Sequence, residues 1–341
     1  MPATQLFPVL AGVAAVAAVA AALLIVILRP LLVRYALARP NARSSHRVPT
    51  PQGGGIAILI PVLVFWLVFS RGEPWLSPTG AVLLGALVLA VLGGVDDIHP
   101  LPASLRLAVQ AAAAFLAVGP GLPQGFHLWG LALTPMLSPL LLLGVVWFVN
   151  LYNFMDGLDW MAVSESAPVL AVLTVLFALD GDFFPALIAA ALLGGFIGFA
   201  WFNKPVARLF LGDVGTLPIG LSLAWLLLVL ADSGAPAAAL LLPLYYVCDA
   251  TLTLFIRLRA GKKVWEAHRE HWYQRATDNG YPVLRVDATV FGLNMLLAAL
   301  AVVSWACGGS PWSPVVDIVT LAMGFAAVAF VLRRFGRPVS S

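Results

Sequence analysis

The sequence has 341 residues, of which 61% are hydrophobic and only 10% are charged, and its net charge at pH 7 is +3. A soluble domain of this length needs more polar side chains to cover its surface, so the composition excludes an ordinary soluble protein. It predicts an integral membrane protein. The two cysteines, Cys248 and Cys307, both fall in apolar segments, which argues against a disulfide framework or a cysteine zinc site.

Apolar segments long enough to cross a hydrocarbon core of roughly 30 Å recur along the chain. We count about eleven and predict an all-α, polytopic integral membrane protein that forms a single domain, residues 1–341. The predicted spans are 7–28, 55–69, 79–95, 104–119, 138–154, 162–179, 184–201, 214–231, 236–257, 287–307 and 314–332. The first is too long for a signal-peptide core and no basic residue precedes it, so we expect it to be retained.

The positive charges indicate which side of the membrane each connection occupies. In the eleven-span arrangement 18 of the 19 lysines and arginines fall on one side, and only Arg71 falls on the other. Because positive residues accumulate in cytoplasmic loops, we predict an external amino terminus, a cytoplasmic carboxyl terminus and an inner-membrane location. The predicted cytoplasmic connections hold most of the polar sequence and are expected to form the active site. They are residues 34–54, 96–103, 155–162, 202–214 and 258–286.

Acidic residues occur at the ends of two predicted spans on this side. Asp96 and Asp97 end the third span, and Asp156 and Asp159 lie at or just beyond the end of the fifth. A helix carboxyl terminus disfavours a negative charge by roughly 0.3 to 1 kcal/mol, and few basic residues are nearby in sequence. We therefore hypothesise a hard cation, Mg²⁺ or in its place Mn²⁺, that bridges these carboxylates to a substrate phosphate. The alternative is that such acids are helix caps, for which Asp213 before the eighth span is the best candidate.

The last long cytoplasmic connection contains the segment AHREHWYQR. His268 and His271 are three residues apart in sequence, and Arg269 lies between them. These groups suit a diphosphate, because arginine grips phosphate oxygens in a bidentate manner and histidine donates a ring N–H. The alternative is a basic juxtamembrane loop that touches anionic lipid headgroups.

Two further features have more than one interpretation. The glycines Gly53 to Gly55 precede the second span, where their backbone N–H groups could approach a phosphate, or they form a flexible connector. Asp249 lies deep in the ninth span, so it needs either a structural partner or a function.

Five blocks of the sequence resemble the polyprenyl-phosphate N-acetylaminosugar-1-phosphate transferases, glycosyltransferase family 4. The blocks occur in the family's order and are RSSHRVPTPQGGGIAI, GGVDDIHPLPASLRLAVQ, NLYNFMDGLDWMA, WFNKPVARLFLGDVGTLPIG and HREHWYQR. This resemblance spans nearly the whole chain. It implies that a sugar-1-phosphate is transferred from a UDP-sugar to undecaprenyl phosphate with Mg²⁺ and that UMP is released. The expected partners are these two substrates and membrane lipid, without nucleic acid, and a homodimer is kept open as the assembly.

The resemblance also implies roles for individual residues. Four aspartates match positions that the family uses in catalysis: Asp96, Asp97, Asp156 and Asp159. Asp213 and Asn153 match the positions that hold Mg²⁺. Five residues match substrate-binding positions: Arg106, Asn203, His268, Arg269 and His271. Direct attack by the acceptor phosphate and a covalent aspartyl intermediate both stay open at this stage.

Two departures from the family pattern bear on the substrate. Trp160 stands where the family usually has glycine, which is expected to narrow the sugar pocket. The histidine segment is sparser than in phospho-MurNAc-pentapeptide transferase, so the sequence favours the subgroup that starts O-antigen or other surface polysaccharides. The alternatives are that pentapeptide transferase and a multi-span transporter. A CDP-alcohol phosphotransferase is disfavoured because DGLDWMAVSE lacks the arginine of that family's motif.

Overall fold

The computed structural model describes residues 3–38, 49–72, 74–122, 127–128, 131–132, 138–263 and 268–339. Parts of two predicted cytoplasmic connections, residues 39–48 and 264–267, lie outside the described residues. The helices are α1 Ala3–Tyr35, α2 Gly55–Ser70, α3 Pro78–Ile98, α4 Ala103–Val118, α5 Ser138–Met155, α6 Met161–Asp180, α7 Phe183–Asn203, α8 Asp213–Asp232, α9 Pro236–Leu241, α10 Leu244–Arg259, α11 Trp272–Asp278, α12 Val283–Ala306 and α13 Ser313–Phe335. Two short antiparallel pairs, β1 Leu37–Ala38 with β2 Thr50–Pro51 and β3 His127–Leu128 with β4 Leu131–Ala132, complete the described elements.

Each of the eleven predicted spans falls on helical sequence, which confirms an all-α, multi-pass membrane protein. In the described part of the chain seven helices are long and apolar enough to cross a membrane: α1, α3, α6, α7, α8, α12 and α13. Helices α2, α4 and α5 are apolar but shorter. The exact number of spans and their orientation therefore stay predictions.

The ninth predicted span is not one continuous helix, contrary to the sequence prediction of 236–257. It consists of α9 and α10, which are separated at Leu242 and Pro243. A proline has no backbone N–H to donate to the preceding turn, so the helix breaks there and restarts with Pro243 as the N-cap of α10.

Helix α8 lies at the centre of the bundle, with most of its residues buried against α3 and α5 and others against α2 and α9. At the edge, α7 packs closely on α1 through two glycines four residues apart. A Cβ on Gly194 or Gly198 would lie 2.1 or 2.3 Å from the carbonyl oxygens of Ala14 and Ala18. Small residues allow this approach, and close packing holds helices together where lipid removes the hydrophobic driving force.

The α3–α4, α5–α6 and α7–α8 connections and α11 lie at one end of the bundle, which we call the site end. There the first connection is joined to the start of α8, because Gly54 N–H donates to Phe210 O at 2.9 Å and Gly55 N–H to Leu211 O at 3.0 Å. These two N–H groups are thus already occupied by backbone. The hypothesis that these N–H groups bind a phosphate is wrong for Gly54 and Gly55, which lie at the start of α2.

Candidate active site

The acidic pair at the end of α3 meets the beginning of α8. The Asp97 carboxylate accepts the N–H groups of Asp213 at 3.0 Å and Val214 at 3.1 Å. Gly93 makes this approach possible, since a Cβ there would lie 2.2 Å from the Asp213 carbonyl oxygen. The prediction that Asp213 is a helix cap is wrong, because Gly212 is the N-cap residue and the Asp97 side chain satisfies the first N–H groups.

Asp96 connects the same cluster to the beginning of α4. It forms a 3.0 Å ion pair with Arg106 and accepts Leu101 N–H at 2.5 Å. The Asp96 carboxyl also lies within hydrogen-bonding reach of the Asp213 carboxyl. The negative charge of Asp97 acts on Asp213 as well. Three predicted aspartates and Arg106 therefore form one cluster, drawn from three helices.

The aspartates of the α5–α6 connection form a second cluster. Asp156 accepts the N–H of Ala162 in the first turn of α6, and Asp159 accepts Ala207 N–H at 2.9 Å. Desolvation by burial, followed by the negative charge of Asp159, raises the pKa of Asp156 from 3.8 to about 7. At neutral pH this carboxyl is thus close to half ionised and is suited to accept a proton.

A side-chain hydrogen bond joins the two clusters. Thr216, one turn after Asp213 on α8, donates from Oγ1 to Asn153 Oδ1 at 2.7 Å, and Asn153 lies one turn before Asp156. Since each step is a single helical turn, the two acidic clusters lie side by side at the site end.

Asn203 and Trp160 hold the DGLDW connection against α7. Asn203 accepts Trp160 N–H at 2.8 Å and donates to Leu209 O at 3.0 Å, so its amide is engaged with backbone. Its predicted role in substrate binding stays a prediction. Trp160 has φ 60°, in the left-handed region that favours the family's glycine, and its indole N–H donates to Ala200 O at 2.6 Å.

The histidine segment is organised by Asp249. His271 is the N-cap of α11 and His268 precedes the helix, yet their rings lie 4.8 Å apart. The Asp249 side chain, 0% exposed, accepts the N–H groups of Trp272 at 3.0 Å and Tyr273 at 3.2 Å and lies 3.3 Å from His271 Nδ1. The structural interpretation of Asp249 is thus confirmed. Nε2 is the ring nitrogen of His271 that does not face Asp249.

Hydroxyl groups on its own helix complete the surroundings of Asp249. Tyr245 donates to it at 3.2 Å and Thr253 at 3.3 Å. Five donors therefore surround one buried carboxylate, which is the condition under which a charge is tolerated inside a protein.

The other groups of this segment differ in charge state and pairing. Burial, then the positive charges of His271 and Arg257, lowers the pKa of His268 from 6.5 to about 4, so His268 is a neutral imidazole at physiological pH. Arg257 is paired with Glu270, and Arg269 forms a 3.1 Å ion pair with Asp278. This ion pair uses one terminal nitrogen of Arg269, and its Nε has no hydrogen-bond partner among the described residues, so the guanidinium keeps a donor for a phosphate.

Tyr273 attaches the histidine segment to the DGLDW connection. Its hydroxyl donates to Phe154 O at 3.0 Å. A Cβ on Gly157 would lie 2.2 Å from the Tyr273 hydroxyl oxygen, so only a glycine allows this approach. The His271 ring is stacked on the Tyr273 ring with 5.7 Å between centroids. The structure therefore brings the histidine segment next to the Asp156 cluster, as the predicted site requires.

Sequence reasoning missed one acidic residue next to this cluster. Asp287, in the second turn of α12, is 1% exposed and lies near the negative charge of Asp159. Neither of its carboxyl oxygens has a hydrogen-bond partner among the residues that the structure describes. The sequence signal was available, because an aspartate opened the predicted span 287–307. A buried carboxylate without a partner is costly, which is typical of a group kept for a function.

The donor chemistry of the first cluster fits a hard divalent cation. Asp96, Asp213 and Asn153 present carboxyl and amide oxygen atoms, and two of these carboxyl groups meet within hydrogen-bonding reach, with Arg106 paired to Asp96. Within the described ranges no group of three or more His, Cys, Asp or Glu residues forms a ready-made metal site, so substrate phosphate oxygens would have to complete the coordination. Asp97 meets the amino terminus of α8, and Asp156 meets the amino terminus of α6. The partial positive charge of these helix ends offsets part of the negative charge, a role that the sequence hypothesis assigned to the cation alone.

Comparison with known proteins identifies the family. The family model described as glycosyl transferase family 4 matches residues 79–231. The chain is 30% identical to the decaprenyl-phosphate N-acetylglucosaminephosphotransferase of Mycobacterium leprae (strain TN), over 75% of this chain and 73% of that protein. It is 26% identical to the probable undecaprenyl-phosphate N-acetylglucosaminyl 1-phosphate transferase of Bacillus subtilis (strain 168), with 76% of each covered. It is 28% identical to the phospho-N-acetylmuramoyl-pentapeptide-transferase of Deinococcus radiodurans, over 77% of this chain and 86% of that protein. The chain therefore belongs to glycosyltransferase family 4, the polyprenyl-phosphate N-acetylaminosugar-1-phosphate transferases.

Proposed function

We propose that this protein transfers an N-acetylated sugar-1-phosphate from a UDP-sugar to undecaprenyl phosphate, giving a lipid-linked diphosphate sugar and UMP. The observation that carries the proposal is the Thr216–Asn153 hydrogen bond, which joins the acidic cluster of α3 and α8 to the Asp156 connection within one helical turn on each side. The relatives from M. leprae and B. subtilis, by their names, use decaprenyl and undecaprenyl phosphate. A polyprenyl acceptor is therefore the substrate class that the family favours.

The reaction needs a site where bilayer and water meet, because the acceptor dissolves in the membrane and the nucleotide sugar dissolves in the cytosol. An oxygen of the polyprenyl phosphate attacks the β-phosphorus of the UDP-sugar. The bond from that phosphorus to the bridging oxygen breaks, and UMP leaves with the bonding electrons. The site end, at the ends of apolar helices, suits both substrates, and we assign it to the cytoplasmic face of the inner membrane.

The residues of the chain divide this work among them. Asp156, with a pKa of about 7, is suited to orient the attacking phosphate or to accept its proton. Arg106, which is paired with Asp96, is suited to hold phosphate oxygens of the donor. Arg269 and His271 are suited to the same role, because Tyr273 attaches their segment to the Asp156 connection. The Trp160 indole, whose N–H donates to Ala200 O, would narrow the sugar pocket.

Asp213 and Asn153 would hold Mg²⁺, for which Mn²⁺ could substitute. When bound, this ion neutralises charge on the diphosphate and stabilises UMP as the leaving group. Asp96 and Asp97 would then keep Asp213 in position, Asp97 through the first N–H groups of α8 and Asp96 through contact between the carboxyl groups.

The product would be the first intermediate of O-antigen or of another cell-surface polysaccharide. A multi-span transporter is less well supported, because Asp249, the deep carboxylate that favoured it, is occupied by the histidine segment. The relative from D. radiodurans keeps phospho-MurNAc-pentapeptide transferase as the second candidate, so its nucleotide substrate belongs in the assay.

The direct test uses purified protein with undecaprenyl phosphate, Mg²⁺ and a panel of radiolabelled UDP-sugars. The panel contains UDP-GlcNAc, UDP-linked N-acetylated 6-deoxy sugars and UDP-MurNAc-pentapeptide. We expect UMP and a labelled lipid with one of the first two classes. Absence of both products with every member would refute the proposed reaction, and turnover of the pentapeptide alone would select the second candidate.

Variants connect the reaction to the site. Asp213→Ala and Asp156→Ala should each abolish UMP release while the protein still inserts into the membrane. Asp182→Ala serves as the matched control, because Asp182 also lies at a helix end but near the start of α7, away from the clusters. Near-normal turnover in either of the first two variants would remove that residue from the mechanism.

A partial reaction separates the two chemical routes. A covalent aspartyl intermediate releases UMP from the UDP-sugar before any acceptor is added, in an amount equal to the enzyme. Direct attack releases UMP only after undecaprenyl phosphate is present. A rapid-quench measurement without acceptor therefore decides between the routes.

A further inference from the structure

We propose that a pocket of four arginines at the site end binds the headgroup of an anionic phospholipid. The arginine pocket is lined by Arg285 at the start of α12 and by Arg333, Arg334 and Arg337 at the end of α13, with Tyr281 and Phe330 between them, and has a volume of about 550 Å³. It lies outside the two acidic clusters, and the binding test below does not depend on the proposed reaction.

The residues after α13 fold back onto the α11–α12 turn and help to build the pocket. Beyond α13 the chain turns back, and Val339 N–H donates to Asn279 O at 3.0 Å. Asn279 Nδ2 donates to Phe335 O at 2.7 Å, and the Tyr281 hydroxyl donates to Arg334 O at 3.3 Å. These bonds attach residues 336–339 to the α11–α12 turn and give the pocket a wall on each side.

Within the described part of the chain, the guanidinium groups in this pocket have no acidic partner. None of the four forms an ion pair with a carboxylate among the described residues, and Arg285 only stacks over the Tyr281 ring, 5.3 Å from its centroid. In contrast, Arg106, Arg257 and Arg269 at the same end are each paired with an acid. Four concentrated positive charges without counter-charge favour an anionic ligand with several oxygen atoms, and phosphate oxygens suit arginine best.

The position of the pocket selects a lipid over a soluble phosphate. The outer surface of α13 exposes apolar side chains towards the pocket, and Phe330 at the pocket edge is 64% exposed. A phospholipid could place its acyl chains along this surface and its phosphate among the arginines. Basic pockets between spans are the sites where anionic headgroups bind to membrane proteins.

The test measures lipid binding directly by native mass spectrometry of the full-length protein in a neutral detergent. Phosphatidylglycerol, phosphatidylcholine and inorganic pyrophosphate are titrated separately onto the wild-type protein and the double variant Arg333→Gln/Arg337→Gln. We expect one tight phosphatidylglycerol adduct in the wild type and roughly 30-fold weaker binding in the variant, since each basic residue near a headgroup contributes about a fivefold gain.

A matched control removes two arginines of the same end that are not in the pocket. Arg34→Gln/Arg259→Gln loses the same charge, and these side chains stack only on their neighbours Tyr35 and Phe255. It should retain wild-type affinity. Arg333→Lys/Arg337→Lys, which keeps the charge but loses the bidentate fork, should give intermediate affinity, and size-exclusion elution as a single peak verifies that each variant is folded.

Three outcomes of the lipid titrations would overturn the proposal. They are equal loss of binding in the control, equal affinity for phosphatidylcholine, and unchanged affinity in the Arg333→Gln/Arg337→Gln variant. Pyrophosphate that binds as tightly as the lipid would assign the pocket to a soluble phosphate and would also overturn it. None of these outcomes affects the sugar-phosphate assay.

Discussion

The most informative single substitution is Asp249→Asn, because it removes a charge that touches no substrate atom. In the protein Asp249 accepts two backbone N–H groups of α11 and two hydroxyl groups, and it lies 3.3 Å from His271 Nδ1. An amide offers one acceptor oxygen and turns an NH₂ group towards these donors. At least two of the hydrogen-bond donors around residue 249 then lose their acceptor, in a site that is not exposed to water.

The expected cost follows from those bonds. Each buried donor left unsatisfied costs roughly 1 to 3 kcal/mol, and disrupting a buried charged network costs about 3 to 5 kcal/mol in total. His271 loses its orienting partner at the same time. We therefore expect a lower unfolding temperature and a fall of kcat/KM by roughly 100-fold, since about 2.7 kcal/mol of lost positioning corresponds to that factor.

The assay combines UMP release with thermal unfolding of the detergent-solubilised protein. Asp317→Asn is the matched control, because Asp317 accepts the Ser304 hydroxyl at 2.6 Å near the start of α13, far from α11. It should lower stability modestly and leave kcat/KM unchanged. If Asp249→Asn keeps wild-type turnover and unfolding temperature, Asp249 does not position the histidine segment and the reasoning fails.

Four further predictions follow from single contacts. Asp97→Ala removes the side chain that satisfies the start of α8 and should destabilise the protein by about 1 to 2 kcal/mol; an unchanged unfolding temperature would contradict this. Asp287→Leu removes a buried carboxyl group that has no hydrogen-bond partner among the described residues, so it should raise the unfolding temperature while kcat/KM falls, and a loss of stability would show that the carboxyl group is paired. Because the pKa of Asp156 is raised to about 7 and its ionised form accepts the proton, kcat/KM should rise with pH through about 7, and a flat profile would exclude that role. The pKa of His268 is lowered to about 4 in the folded protein, so as pH falls the unfolded chain binds this proton first. His268 should therefore reduce the free energy of unfolding as pH falls from 6.5 towards 4. In His268→Gln this part of the pH dependence should be absent, and its persistence would contradict the assignment.

Much of the fold could be predicted from hydropathy alone. Every predicted span falls on helical sequence, because a chain in a bilayer must satisfy its backbone within each segment. The break at Pro243 was missed, since a proline in an apolar run reads equally as a kink or as an end. The central position of α8 was also not predictable, because in a membrane helix the lipid-facing side and the buried side are both apolar.

The candidate site was predicted as a set of residues but not as a set of contacts. Asp96, Asp97, Asp156 and Asp213 were found from their motifs, and the structure brings three of them together directly. Asp249 was found but its partner was not, because His271 is 22 residues away across a connection. Asp287 was overlooked, since one aspartate at the start of a span gives no sign of its burial.

By itself the sequence determined that this is a multi-pass helical protein with its acidic and basic motifs on a few connections, and it determined the family. Only the tertiary structure decided how the acidic charges are balanced. Along the sequence each acid can be placed only relative to its own helix, whose carboxyl end repels it. In the folded protein the N–H groups that meet Asp97 belong to α8, 116 residues further along the chain, and such a contact depends on helix packing that no local pattern contains.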